Sequence, residues 1–171
     1  VLGEVVPPNE NISAGVVDAD TQAEAVARRV LIVDDSSIAR KQVTRCLQEV
    51  GVEIVALNDG RQALDWLKAR ADEGEDVSQS LLMMISDIEM PGVDGLEMLR
   101  FAKRRNSWTQ VIFITGHSSW DRIATAIEQG ATDYLVKPIQ RDALVGLLSQ
   151  AHQRATRWQQ AVRETFELDQ I

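Results

Sequence analysis

A chain of 171 residues with an ordinary apolar fraction holds one core of normal size, so the sequence describes one domain with short appendages. A net charge of −8 with no dense Lys/Arg run argues against nucleic acid as a direct partner. The single cysteine, Cys46, excludes an intramolecular disulfide and a Cys-based zinc cluster, and no apolar run approaches the roughly 20 residues of a membrane-inserted helix.

No signal-peptide pattern opens the chain, and the expected location is the cytoplasm. Residues 1–28 are expected to be a linker or the remnant of an upstream domain. Pro7, Pro8, Gly15 and scattered acids break any long periodicity there, and Val1 in place of Met points to a fragment. Residues 30–33 (VLIV) are a short unbroken apolar run that stops at Asp34 and Asp35. Such a run reads as a strand buried on both faces. Ser36 or Ser37 can cap the following helix, whose apolar face is Ala39, Val43, Cys46, Leu47 and Val50, with Gly51 as its stop. Residues 52–57 predict a strand and 60–71 a helix with Ala63, Leu64 and Leu67 inward and Trp66 on the flank. An acidic loop over 71–80 follows.

Residues 81–85 (LLMMI) are the next buried strand, running into Ser86 and Asp87. Pro91, Gly92, Asp94 and Gly95 lead away in a loop, and 96–105 read as a helix. Residues 111–114 (VIFI) predict a strand ending at Thr115. Ser118 or Ser119 caps a helix to Gln129, and Gly130 ends it. Residues 134–136 predict the last strand, running into Lys137 and Pro138, and a long helix begins near Gln140. Five alternations of strand and helix predict an α/β fold: a five-stranded parallel sheet with helices on both faces, for which five strands suggest, by match to a known pattern, the flavodoxin-like order 2-1-3-4-5.

In such a sheet the strand ends share one rim. That rim gathers Asp34, Asp35, Asp87, Thr115 and Lys137. Each has an ordinary reading alone: a helix cap, a turn residue, a solvated charge. Together, clustered carboxylates suit a hard cation such as Mg²⁺, and a lysine and a hydroxyl beside them suit a dianionic phosphoryl group. A phospho-aspartate on Asp87 is the natural product.

The segments VLIVDDSSIARK, SDIEMPGVDG, FITG and DYLVKP, in this order, resemble the signature blocks of response-regulator receiver domains, over about residues 29–150. The resemblance implies a CheY-like fold with Asp87 as phosphoacceptor. It implies Asp34, Asp35 and Asp87 as Mg²⁺ ligands, with Asp35 the more direct of the acidic pair, and the backbone carbonyl of Glu89 beside them. Thr115 and Lys137 would contact the phosphoryl group. Tyr134 stands at the switch position, although a buried strand tyrosine explains it equally well. Glu89 and His117, two past Asp87 and Thr115, would tune the lifetime or merely face solvent. A cis Lys137–Pro138 bond is also implied. More narrowly, DDSSIARKQV with SDIEMPGVDG is similar to the C-terminal receiver of the CheV chemotaxis coupling proteins. That narrower likeness implies a CheA-like histidine kinase as phosphodonor and chemotaxis signalling proteins as partners. The alternatives are a receiver-shaped interaction module without phosphate turnover, or an Asp-nucleophile phosphatase. The latter fits less well, because its nucleophile belongs to the first strand.

The final helix departs from the family. No proline or glycine follows Gly146, so it can run from Gln140 to roughly Glu167, making 151–171 a helical extension. Leu144, Leu148, Ala151, Ala155, Trp158, Val162 and Phe166 approach a heptad seam. Its second half is expected either to expose Trp158, Val162 and Phe166 for a homodimer or to fold back on its own domain.

Overall fold

The computed structural model describes residues 28–74, 81–116 and 120–170, and strand and helix alternate throughout them. The strands are β1 (Arg29–Val33), β2 (Glu53–Leu57), β3 (Leu81–Asp87), β4 (Val111–Thr115) and β5 (Asp133–Val136). They form one sheet in the order β2-β1-β3-β4-β5, with every neighbouring pair parallel. The helices are α1 (Ser37–Leu47), α2 (Gly60–Asp72), α3 (Gly95–Arg105), α4 (Trp120–Glu128) and α5 (Arg141–Asp169). This is the flavodoxin-like, CheY-like arrangement that the strand number suggests and the family resemblance implies. Element ends differ from the sequence reading by a residue or two, where terminal turns fray. Ser118 and Ser119, read as caps of α4, lie outside the described residues, as do residues 75–80 of the acidic loop.

Parallel strands need crossovers, so helices must cover both faces of the sheet, and the side-chain alternation divides the core in two. Leu31, Val33, Met84, Val111 and Phe113 face α2, α3 and α4, where Leu67, Met98, Leu99, Ile123 and Ala126 meet them. Val30, Ile32, Met83, Ile85, Ile112 and Ile114 face α1 and α5, where Val43, Leu47, Leu144 and Leu148 meet them. Leu82 breaks the alternation by joining the α1/α5 face beside Met83, and the register of β1 on β3 slips at this point, from Arg29↔Leu81 to Val30↔Met83. Burying each large apolar side chain in these layers contributes about 1.5–3 kcal/mol. Cys46 is half-buried at the edge of the second layer. Trp66 does sit on a flank, with the guanidinium groups of Arg29 and Arg70 5.8 and 5.7 Å from its ring.

Side-chain caps start α1, α2 and α3 near the rim. Ser36 caps α1 by accepting from the Ala39 amide at 3.3 Å, Asp59 caps α2 by accepting from Gln62, and Asp94 caps α3 by accepting from Glu97 at 2.9 Å. Gly51, at φ +74°, supplies the left-handed turn between α1 and β2.

α5 is unbroken for 29 residues. Leu144, Leu147, Leu148 and Ala151 bury its first half. Past the sheet's amino-terminal edge it is pinned again. Gln110, 3% exposed, donates from Nε2 to the Ala151 carbonyl at 2.9 Å and accepts from Arg154 Nε at 3.0 Å. Trp158 then meets Trp108 edge to face, ring centroids 5.2 Å apart. The stripe expected to project from Trp158 onward is therefore covered at Trp158 by the chain's own α3–β4 turn, while Val162 and Phe166 remain 42% and 66% exposed. No helix among the described residues is long and apolar enough to cross a membrane.

Candidate functional site

Each strand that contributes to the rim ends where its hydrophobic run ends. Asp34 follows β1, Asp87 closes β3, Thr115 closes β4 and Lys137 follows β5. Register places them side by side: Asp87 pairs with Ile114, Thr115 with Val136, and the Lys137 amide donates to the Thr115 carbonyl at 2.8 Å.

Lys137 Nζ donates to Asp87 Oδ2 at 3.0 Å and lies 3.7 Å from Asp34 Oδ2. Carboxylate oxygens of Asp34, Asp35 and Asp87 all lie within 4.8 Å of one another. Ligands around an octahedral Mg²⁺ at about 2.1 Å stand roughly 3–4 Å apart, so a small closure of this cluster fits that ion, and its all-oxygen donor set suits a hard cation. Asp34 is only 4% exposed, Asp87 is half-buried, and Asp35 is exposed. Burial pushes the Asp34 carboxyl above its ordinary 3.8; the Ser36 amide and Lys137 pull it down, and the neighbouring Asp87 and Asp35 charges push it up again. Burial works to lower the Lys137 ammonium, but Asp87 and Asp34 outweigh it and hold it above 10.5. The pocket thus carries more negative charge than its lysine balances, and a divalent cation would relieve that excess.

Thr115 is buried, its hydroxyl donating to the Gly116 carbonyl at 3.3 Å. The Glu89 amide donates to Asp87 Oδ1 at 3.2 Å, which keeps the Glu89 backbone at the pocket, and the Glu89 side chain is exposed. Tyr134 is half-buried against Trp120, ring centroids 5.7 Å apart at 80°. The Lys137–Pro138 peptide is cis. His117 lies outside the described residues. The sequence reading missed two supports of this rim. Arg40 Nη1 donates to the Asp34 carbonyl at 2.6 Å. Arg122 pairs with the second oxygen of the Asp94 cap and so ties α4 to the loop after Asp87. No periodicity announces either contact, because each depends on where one long side chain reaches.

A doubly wound parallel sheet with an aspartate cluster and a lysine at its carboxyl rim is the architecture of the receiver class. The family comparison agrees: the response regulator receiver domain model matches residues 30–149, and the chain belongs to that family, a signalling domain of two-component systems. The chain is 37% identical over 120 residues to the DNA-binding transcriptional regulator NtrC of Klebsiella pneumoniae, covering 70% of this chain and 24% of that protein. It is 34% identical over 134 residues to the C4-dicarboxylate transport transcriptional regulatory protein DctD of Pseudomonas aeruginosa, covering 78% of this chain and 26% of that one. It thus spans about a quarter of the length of these relatives. Among solved structures, the Vibrio cholerae chemotaxis protein CheY4 superposes with a TM-score of 0.61 at 31% identity, covering 74% of this chain and 99% of that one.

Proposed function

We propose that Asp87 accepts a phosphoryl group from the phosphohistidine of a histidine kinase in a Mg²⁺-dependent step. The observation that carries this reading is the Asp87 carboxylate, held 3.0 Å from Lys137 Nζ and grouped with Asp34 and Asp35. Asp34, Asp35, Asp87 and the Glu89 carbonyl would hold Mg²⁺, which when bound neutralises charge on the phosphoryl oxygens. An Asp87 oxygen attacks phosphorus in line; an O–P bond forms, the N–P bond to the donor imidazole breaks, and its electron pair leaves with that nitrogen. Lys137 then transfers its ion pair from the Asp87 carboxylate to a phosphoryl oxygen. Thr115 turns its hydroxyl from the Gly116 carbonyl to another. That inward turn opens space for Tyr134, whose contact with Trp120 carries the change to α4. Glu89 overhangs the same rim, where a carboxylate would repel attacking water.

The kinase partner follows from the family. The narrower expectation of a CheV-type receiver with a CheA-like donor and chemotaxis partners is not supported by the comparisons; CheY4 is a chemotaxis protein by name, but its likeness is that of one receiver domain to another. NtrC and DctD are transcriptional regulators by name, and at comparable identity they lend that expectation no support. The similarity therefore speaks for the receiver class and leaves the pathway to be assigned by phosphotransfer from candidate kinases.

Labelling by acetyl phosphate with Mg²⁺ tests the chemistry. Wild type takes one alkali-labile acyl phosphate, and Asp87→Asn, which keeps the shape and loses the nucleophile, takes none. Equal labelling of the Asn variant, or of wild type in EDTA, would sink the reading, and absence of wild-type labelling would favour an interaction module without phosphate turnover.

A further inference from the structure

The segment that carries two of the three clustered carboxylates is held at four points. The Asp34 amide donates to the Leu57 carbonyl at 3.3 Å, and the Arg40 amide to the Ser36 carbonyl at 3.0 Å. The Ser36 amide donates to Asp34 Oδ1 at 2.8 Å. The fourth tie, from Arg40 Nη1 to the Asp34 carbonyl at 2.6 Å, is the one made by a charged side chain reaching back from the first turn of α1. That carbonyl belongs to the planar peptide joining Asp34 to Asp35, so holding its oxygen fixes the direction in which Asp35 leaves the strand. Asp35 needs such help. Its side chain is exposed, and no described residue donates to its carboxylate.

We propose that Arg40 is a positioning residue of the acidic pocket, which aims the Asp35 carboxylate at a divalent cation by holding the Asp34 carbonyl. The inference rests on the metal pocket of the proposed function. It separates cleanly from a charge effect because the two predict opposite signs. If Arg40 acted only through its charge, removing that cation beside a cation site would tighten Mg²⁺ binding. If it positions Asp35, removing it weakens binding. Lys41, the adjacent cation in the same basic groove of α1, is the control.

Calorimetric titration of Mg²⁺ into the full chain reads this directly. Arg40→Gln is expected to weaken Mg²⁺ binding about tenfold, the low end of what partners that orient metal ligands contribute. Lys41→Gln is expected to leave it unchanged or slightly tighter. Arg40→Met, which keeps the aliphatic stem, is read in the same way should Arg40→Gln fail to melt cooperatively. A merely structural role lowers the melting temperature and leaves the affinity of the folded protein unchanged. Unchanged or tighter binding in a folded Arg40 variant overturns the proposal, as does equal weakening by Lys41→Gln. The titration involves no phosphoryl donor. Failure of Asp87 labelling therefore leaves it standing, and a labelled wild type with Mg²⁺-indifferent Arg40 variants removes Arg40 alone.

Discussion

Gly95 shows how closely the rim is built at the level of single atoms. Its amide donates to the Ile88 carbonyl at 2.9 Å. A Cβ there would lie 2.6 Å from the Asp87 carbonyl oxygen and 2.8 Å from both Ile88 Cα and Phe113 Cε1. Two of those neighbours are backbone, so the chain around Asp87 would have to move. Gly95→Ala is expected to cost about 1–3 kcal/mol in urea unfolding and to slow labelling of Asp87; a wild-type midpoint would show that the loop yields freely. The aspartates, Thr115 and Lys137 were legible in the sequence because a parallel sheet delivers every strand's carboxyl end to one rim, whatever the details of packing. Arg40 and the tightness at Gly95 were not, since the first depends on a side-chain rotamer and the second on how near α3 lies to β3.

The ion pair between Asp94 and Arg122 works one level up, joining two helices. One carboxylate both caps α3 and grips α4. Burial works to raise the Asp94 carboxyl, but the Glu97 amide and the Arg122 guanidinium outweigh it and hold it below 3.8. A carboxyl lowered in the fold adds stability that is present above about 3.8 and lost as pH falls through its folded value. Both side chains are about a third exposed, so solvent screening keeps the pair's contribution below about 1 kcal/mol. Arg122→Gln is therefore expected to lower stability at pH 7 by less than about 1 kcal/mol. Its deficit should shrink in acid and in high salt, and a deficit constant across pH would exclude the pair as its source. The α5 seam shows the limit of reading elements from sequence. Apolar spacing marks which side of a helix wants cover, but the cover at Trp158 is Trp108, a residue in a turn with no pattern of its own.

At the scale of the whole molecule, the last turns of α5 present an apolar stripe in which Val162, Phe166 and Leu168 are 42%, 66% and 70% exposed. Self-association through this stripe is the expectation, with the Trp108–Trp158 contact setting the angle at which the helix leaves the base. Sedimentation of the full chain and of a chain ending at Arg154 checks it. The full chain should associate at high micromolar concentration and the shorter one should not. Two monomers, with or without phosphoryl donor, would assign the helix to its own domain.

The strand order has a consequence for the protein's first seconds. In the finished sheet β2 lies on one side of β1, and β3, β4 and β5 lie on the other in the order in which the chain is synthesised. The carboxylates of Asp34 and Asp35 are therefore synthesised first, Asp87 joins them from the third strand, and Lys137 arrives last, carried in behind the edge strand. A nascent chain can gather its acidic cluster well before it owns the cation that answers it. The acidic cluster is thus drawn from the first and third strands and its lysine from the end of the last, so a chain truncated before residue 137 would keep the carboxylates without the cation that pairs with Asp34 and Asp87.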